Sequence, residues 1–361
     1  MKRLTTLQLL PGMTIAEDVL SFDRQLIMRK GTVLNDNLIT KLDLYNVITV
    51  FVEDSIAPAP SAKEIADEPP VSYTERVQNT ASFRQFKEDY SLNVDTFKNA
   101  MNNVVERNLD LDVDALLSDT LTMINKADKW PGILDMLQNM QAFDDSTFTH
   151  SLNVALICNV LARWLKLTPD QIEMATACGL FHDIGKLKIP HAIITKPGKL
   201  DAHEYAQIQK HPILGYQLLQ KQNVDDHIRN AALMHHERYD GGGYPMRISG
   251  KQIDPYARIV AIADVYDAMT AARVYRGPLC PFRVIEIFEQ EGFQKYDVEY
   301  LLTFLENVVN TYLQCDCKLS DGRKAKIIFI NKDKLSRPTV QCGSEYIKLA
   351  DHPDLTIEEL L

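Results

Sequence analysis

The stretch HSLNVALICNVLARWLKL, residues 150–167, decides how the long middle of this chain is read. Its apolar residues at 152, 155, 156, 160, 161, 164 and 165 keep the three-and-four spacing of one helix face, not the alternation of a strand. A ligand-type side chain, His150, stands at its start. Downstream the same periodicity recurs. Thr168-Pro169 and Asp170 open DQIEMATACGLFHD as a capped helix with an early proline, and DPYARIVAIADVYDAMTAAR carries Pro255 in its first turn. Residues 73–310 are therefore predicted to form a helical domain.

The flanks read differently. In residues 1–55, QLIMRKGTVL and VITVFVED are β-like runs, and Asn35 is placed to cap the helix-like DNLITKLDLYN, which predicts a small α/β module without a readable role. Residues 56–72, rich in proline, alanine and acids, read as a linker. In residues 311–361, KLSDGRKAKIIFINKDKLSRPTVQCG alternates around Asp321-Gly322 and predicts a short β-rich region built on a hairpin. The expected fold class is mainly α, with no internal repeat.

With 361 residues the chain has room for more than one domain, and 45% hydrophobic with 24% charged residues is ordinary globular composition. A net charge of −10 argues against a duplex DNA or RNA partner, although a local group of Lys and Arg can still hold a small anion. Six scattered cysteines without a CxxC pair suit reduced thiols, and Cys315 and Cys317 fall on one strand face as packing residues. Pro11-Gly12 interrupts the first apolar run as no signal peptide would, and no window approaches the ~18 apolar residues of a membrane span. A cytoplasmic protein is expected.

The chemistry concentrates in a few places. LFHDIGKLKIP places His182 beside Asp183, whose two oxygens suit it to bridge cations. If the helix continues, Lys186 shares the face of His182, and Gly185 leaves room for a substrate near the backbone. His211 opens KHPILGYQLL, His235 and His236 end IRNAALMHH, and Asp264 sits in the apolar run IVAIADVYDAM, where an unpaired carboxylate is expensive to bury. Any one helix histidine is more often a packed or surface residue, and His191, His203, His227 and His352 are read so. The coincidence of His150, His182, His211, His235, His236, Asp183 and Asp264 instead suggests a di-metal site inside a helical bundle.

HDIGK followed by HHERYDGGGYP resembles the HD-GYP family, bacterial cyclic dinucleotide phosphodiesterases of the HD superfamily. Every fixed position of HHExxDGxGYP is matched, and the His150-to-His182, Lys186-to-His211 and His236-to-Asp264 separations fit. The resemblance covers roughly residues 120–315, and more weakly the first 55. It implies a helical HD-type bundle with two divalent metal ions, iron or manganese. One would be held by His150, His182, Asp183 and Asp264, the other by His211, His235 and His236, with Asp183 bridging. It also implies catalytic roles for Asp183 and Lys186, with Lys186 at the scissile phosphate and Arg273 and Arg276 gripping phosphates. The loop Gly243-Tyr244-Pro245 would shape substrate entry or meet a signalling partner such as a GGDEF-type cyclase. The sequence also leaves room for a homodimer. Some members carry a glutamate four residues before the first histidine that supports a third metal; here Ser146 stands there and Asp145 is one place off, so two metals are expected.

Two adjacent cations lower the pKa of a bridging water and present hydroxide at neutral pH. The expected reaction is hydrolysis of the 3′–5′ phosphodiester of cyclic di-GMP to linear pGpG, then GMP. Cyclic GMP-AMP is the rival substrate, and a sensor that binds without turnover is the rival class. Glu237 is expected behind the histidines, orienting them or the chain.

Overall fold

The computed structural model describes residues 2–5, 9, 12–20, 26–34, 38, 42, 49–53, 77–78, 80–107, 109–126, 130–140, 147–196, 198–271 and 279–361. The chain divides into two compact units, Met1–Val71 and Ser72–Leu361. In the first, β1 (Lys2–Thr5) pairs antiparallel with β4 (Thr49–Val52), and β2 (Val19–Leu20) with β3 (Leu26–Met28). Their apolar sides enclose a small core of Leu4, Ile15, Met28, Leu34, Leu42, Val50 and Val52. Leu38 and Leu42 are helical, but most of the expected helix after Asn35 and the expected 56–72 linker lie outside the described residues.

The second unit is mainly α. Two helices come first, α1 (Ala81–Arg107) and α2 (Val113–Lys126), then α3 (Trp130–Asn139) and α4 (Thr147–Trp164). The helix expected after residue 168 is α5 (Pro169–Phe181), held at its start by a reciprocal capping box between Thr168 and Gln171. A 3₁₀ turn (Ile184–Lys188) follows, then α6 (His191–Ile194), α7 (Ala202–Ile208), α8 (His211–Leu219), α9 (Asp226–Met234) and α10 (Pro255–Thr270). Next come α11 (Pro281–Ile287), a π turn (Phe288–Gly292), α12 (Phe293–Lys295) and α13 (Val298–Thr311). From His150 to Ala162 every residue of α4 except Asn153 is buried, the mark of a helix surrounded by others. Helices α5 and α10 pack against it and are nearly as apolar, so the carboxylates of α10 stand in the interior. Among the described residues no helix is long and apolar enough to cross a membrane.

The C-terminal residues form a five-stranded antiparallel sheet in the order β8-β7-β6-β5-β9. The strands are β5 (Asp316–Leu319), β6 (Lys324–Phe329), β7 (Thr339–Cys342), β8 (Glu345–Lys348) and β9 (Ile357–Leu360). The hairpin at Asp321-Gly322 joins β5 to β6. Cys317, Ile327, Val340 and Ile357 belong to the same hydrophobic core as the helices, so residues 311–361 share their interior. Burial pushes the Cys317 thiol up to about 12, while Cys315 packs at the edge of that core, and all six cysteines are free.

Candidate metal centre

Four helix ends and one helix middle meet in the interior. Helix α5 ends at Phe181, and the chain turns through His182 and Asp183 into the 3₁₀ segment. His150 comes from the first turns of α4, His211 from the start of α8, and His235 and His236 from just beyond α9. Asp264 projects from the middle of α10.

Three of the histidines are aimed by the same device. The Nδ1–H of His182 donates to the Gly179 carbonyl at 2.7 Å, that of His211 to the Ile208 carbonyl at 2.7 Å, and that of His235 to the Ala231 carbonyl at 3.0 Å. A ring nitrogen that donates outward leaves Nε2 as a lone pair facing inward. The His211 and His235 Nε2 atoms lie 3.1 Å apart, a contact between two acceptors that a cation would relieve. His150 is aimed by a carboxylate instead, with Nδ1 2.7 Å from Asp267 Oδ2 and Nε2 3.0 Å from Asp264 Oδ1.

Asp183, wholly buried, lies between two groups of histidines. Its Oδ2 is 3.5 Å from His150 Nε2 and 3.4 Å from His182 Nε2, and its Oδ1 is 3.2 Å from His211 Nε2 and 3.7 Å from His235 Nε2. His150, His182 and Asp264 form one set of atoms within metal-sharing reach, and His211, His235 and His236 another. A third set, His182, Asp183 and His235, joins them.

The electrostatics suit a cation. Burial disfavours the Asp183 carboxylate, but the Lys186 ammonium and then the His182 and His211 rings outweigh it and hold its pKa well below the usual range. Burial likewise opposes ionised Asp264, and the hydrogen bond and charge of His150 reverse this. Burial drives His236 down to about 3 and, with its imidazole neighbours, holds His235 well below the ordinary value, so both are neutral. His150 is opposed by burial yet pushed up to about 9 by Asp264 and Asp267. Ionised Asp183 and Asp264 beside neutral His235 and His236 are in the ligand states of both residue types, and a bound cation would displace the proton that Asp264 and Asp267 hold on His150. No hydrogen bond reaches the buried His182 Nε2 or Asp183 Oδ1. Orphaned acceptors of this kind cost about 1–3 kcal/mol each unless a partner arrives, and a divalent cation is the partner this N and O donor set fits.

Two expectations are corrected. Because α5 stops at Phe181, Lys186 does not share a helix face with His182. It rides the 3₁₀ turn, and its Nζ bonds Asp183 Oδ2 at 2.5 Å with the side chain 24% exposed. Gly185 leaves no room for a substrate: a Cβ there would strike the His211 carbonyl and come within 2.5 Å of Gly215 N. Its bareness lets the 3₁₀ turn lie directly on the start of α8.

The loop after His236 is built on Glu237. Its buried carboxylate accepts from Met246 N at 2.6 Å and Arg247 N at 3.1 Å, so it holds the chain beyond the Tyr244-Pro245 corner and not the histidines. Gly243 lies against the backbone of Glu237 and Arg238, where a side chain would not fit. The Tyr244 ring stacks on His236 with centroids 4.7 Å apart, and Pro245 follows it through a cis peptide bond. His191, His203 and His352 are exposed, and His227 pairs with Asp254 at 2.7 Å. Arg273, Arg276, Asp145 and Ser146 lie outside the described residues. The sequence reading passed over Asp267, although a second carboxylate one turn after Asp264 in so apolar a helix was a usable signal.

Fold and site define a helical bundle with a buried histidine–aspartate centre closed by a Gly-Tyr-Pro loop. Residues 122–300 match the family described as HD domain, and that segment is an HD-type domain of the HD-GYP kind. A 3′3′-cGAMP-specific phosphodiesterase of Vibrio cholerae is 39% identical over 181 residues, 50% of this chain and 39% of that protein. A cyclic di-GMP phosphodiesterase of Pseudomonas aeruginosa is 40% identical over 147 residues, 40% of this chain and 36% of that protein. The chain thus spans well under half the length of these relatives. Among solved structures, an HDG"Y"P protein of Bdellovibrio bacteriovorus covers 84% of this chain and 97% of its own, at TM-score 0.45 and 17% identity.

Proposed function

We propose that the HD domain of this chain is a cyclic dinucleotide phosphodiesterase that opens the 3′–5′ phosphodiester of cyclic di-GMP, giving linear pGpG and then GMP. Two divalent cations, iron or manganese, would be held by His150, His182, Asp183 and Asp264 on one side and by His211, His235 and His236 on the other, with Asp183 placed to serve both. The observation that carries this is the convergence of all seven side chains on one buried point, where His182 Nε2 and Asp183 Oδ1 have no other partner. When bound, such cations activate water and neutralise charge developing at phosphorus.

The chain's own groups do the rest. The carbonyls of Gly179, Ile208 and Ala231 keep the Nε2 lone pairs of His182, His211 and His235 turned inward. Lys186 stands at the boundary between buried cluster and solvent, where its ammonium meets a non-bridging phosphate oxygen. Tyr244, stacked on His236, walls the entrance with an aromatic face. Arg273 and Arg276 are assigned to the flanking phosphates on the strength of the family pattern.

Cyclic GMP-AMP is the second reading, favoured by the 39% identity to the Vibrio cholerae enzyme named for it. The test is a panel of cyclic dinucleotides given to protein loaded anaerobically with iron or manganese, with products separated by chromatography. Cyclic di-GMP is expected to be consumed fastest, and Asp183→Ala to abolish both metal content and turnover. A metal-loaded protein that binds the dinucleotide and never cleaves it would leave a sensor instead.

A further inference from the structure

Behind His150 runs a line of hydrogen bonds that leaves the metal centre and ends on α1. His150 Nδ1 lies 2.7 Å from Asp267 Oδ2, and Asn153 Nδ2 donates to Asp267 Oδ1 at 2.9 Å. Tyr90, 3% exposed, donates its hydroxyl to Asn153 Oδ1 at 2.5 Å, with the Thr149 carbonyl 3.3 Å away. Tyr90 lies in α1, N-terminal to the segment that matches the HD family.

The polarity of the line is fixed at each joint. Asp267 receives from both neighbours, so Asn153 must turn its NH₂ toward Asp267 and its carbonyl toward Tyr90. A flipped amide would set oxygen against carboxylate, and the phenol donating to the Asn153 oxygen opposes that flip. Burial and the charge of Asp267 hold the Tyr90 hydroxyl well above its ordinary pKa, so it keeps its proton and donates. With Nδ1–H committed to Asp267, His150 presents Nε2 to the metal centre.

We infer that Tyr90, through Asn153 and Asp267, is a positioning residue for the metal ligand His150, and that α1 thereby sets the cation affinity of the centre. This rests on the metal reading above. A core tyrosine whose hydroxyl merely found a partner would affect stability alone. Here its removal frees the Asn153 amide to rotate, loosens Asp267, and spreads the ring of His150. Outer hydrogen-bond partners of metal-bound histidines are worth about 10–100-fold in affinity.

The test is titration calorimetry of the metal-free protein with Mn²⁺, alongside thermal unfolding, for the wild type, Tyr90→Phe, Asp267→Asn, the double variant and Phe86→Leu. Phe86 is buried in α1 with its ring 5.8 Å from Tyr90 but is no part of the line, so it reports simple loosening of α1. Asp267→Asn is expected to weaken Mn²⁺ binding by about 10–100-fold and Tyr90→Phe by about 3–10-fold. The double variant should lose less than the product of the two, because both break one line. Phe86→Leu should lower the melting temperature and leave affinity alone. Tyr90→Phe binding within about twofold of wild type, multiplicative losses in the double variant, or an equal loss in Phe86→Leu would each overturn the inference. A wild-type protein that takes up no Mn²⁺ would overturn the metal reading and this one with it.

Discussion

Gly185 shows how much a single residue can decide. Its Cα hydrogens face the His211 carbonyl and Gly215 N, so the 3₁₀ turn carrying Asp183 and Lys186 touches the helix that carries His211. Gly185→Ala must push these two backbones apart, and neither is a flexible side chain that can step aside. Overpacking of this sort costs about 1–3 kcal/mol, and here it also separates Asp183 from His211, now 3.2 Å apart. The variant should melt several degrees lower and retain less metal, which differential scanning calorimetry and metal analysis on the same sample would check. The histidines and Asp264 were legible in the sequence because ligand-type side chains stand out against apolar helices. The use of Gly185 was not, because its neighbours are His211 and Gly215 on another helix, and local spacing carries no record of them. Asn153 and Tyr90 escaped for the same reason: each is ordinary in its own helix and acquires a role only where α1, α4 and α10 meet.

At the scale of elements, α11 and the π turn that continues it hold the C-terminal sheet through two acids. Glu286 accepts from Arg337 at 2.7 Å and from Arg283, and Arg337 also reaches the carbonyls of Pro353 and Leu355. Glu289 accepts from Leu335 N at 2.5 Å and from the backbone and hydroxyl of Ser336. Burial opposes the Glu286 charge, but Arg337 and then Arg283 outweigh it, so its pKa lies below the ordinary value. A carboxyl depressed in the folded state stabilises above its unfolded pKa, and that contribution is lost as pH falls through the folded one. Glu286→Gln should therefore cost roughly 2 kcal/mol at neutral pH, with the gap to wild type closing as pH drops below about 4. Denaturant unfolding at a series of pH values measures this, and a gap that widens toward acid would contradict it. Sequence periodicity read α4, α5, α10 and the β5–β6 hairpin correctly because each buries its own pattern. It was silent on this clamp, whose partners lie about fifty residues apart, as Glu286 and Arg337 do.

For the whole molecule, composition suggests a border near residue 310, where helical periodicity gives way to alternation. The interior has no such border. Leu319, Ile327, Val340 and Leu349 are fully buried in the core that also holds Phe282, Phe304 and Val308. At about 1.5–3 kcal/mol for each large aliphatic side chain, these four rival the ~5–15 kcal/mol that holds a typical domain folded. The first unit differs, since its core of Leu4, Ile15, Val50 and their neighbours is separate. Two truncations therefore have opposite expected outcomes. A chain starting at Ser72 should unfold in one cooperative transition and keep its metal. A chain ending at Asn310 should lose that transition and bind a hydrophobic dye, because the face of α11 that met β9 and the core shared with the sheet are left bare. If the protein ending at Asn310 melted cooperatively near the full-length temperature, the shared core would not be needed for folding, and the border suggested by composition would be the true domain edge.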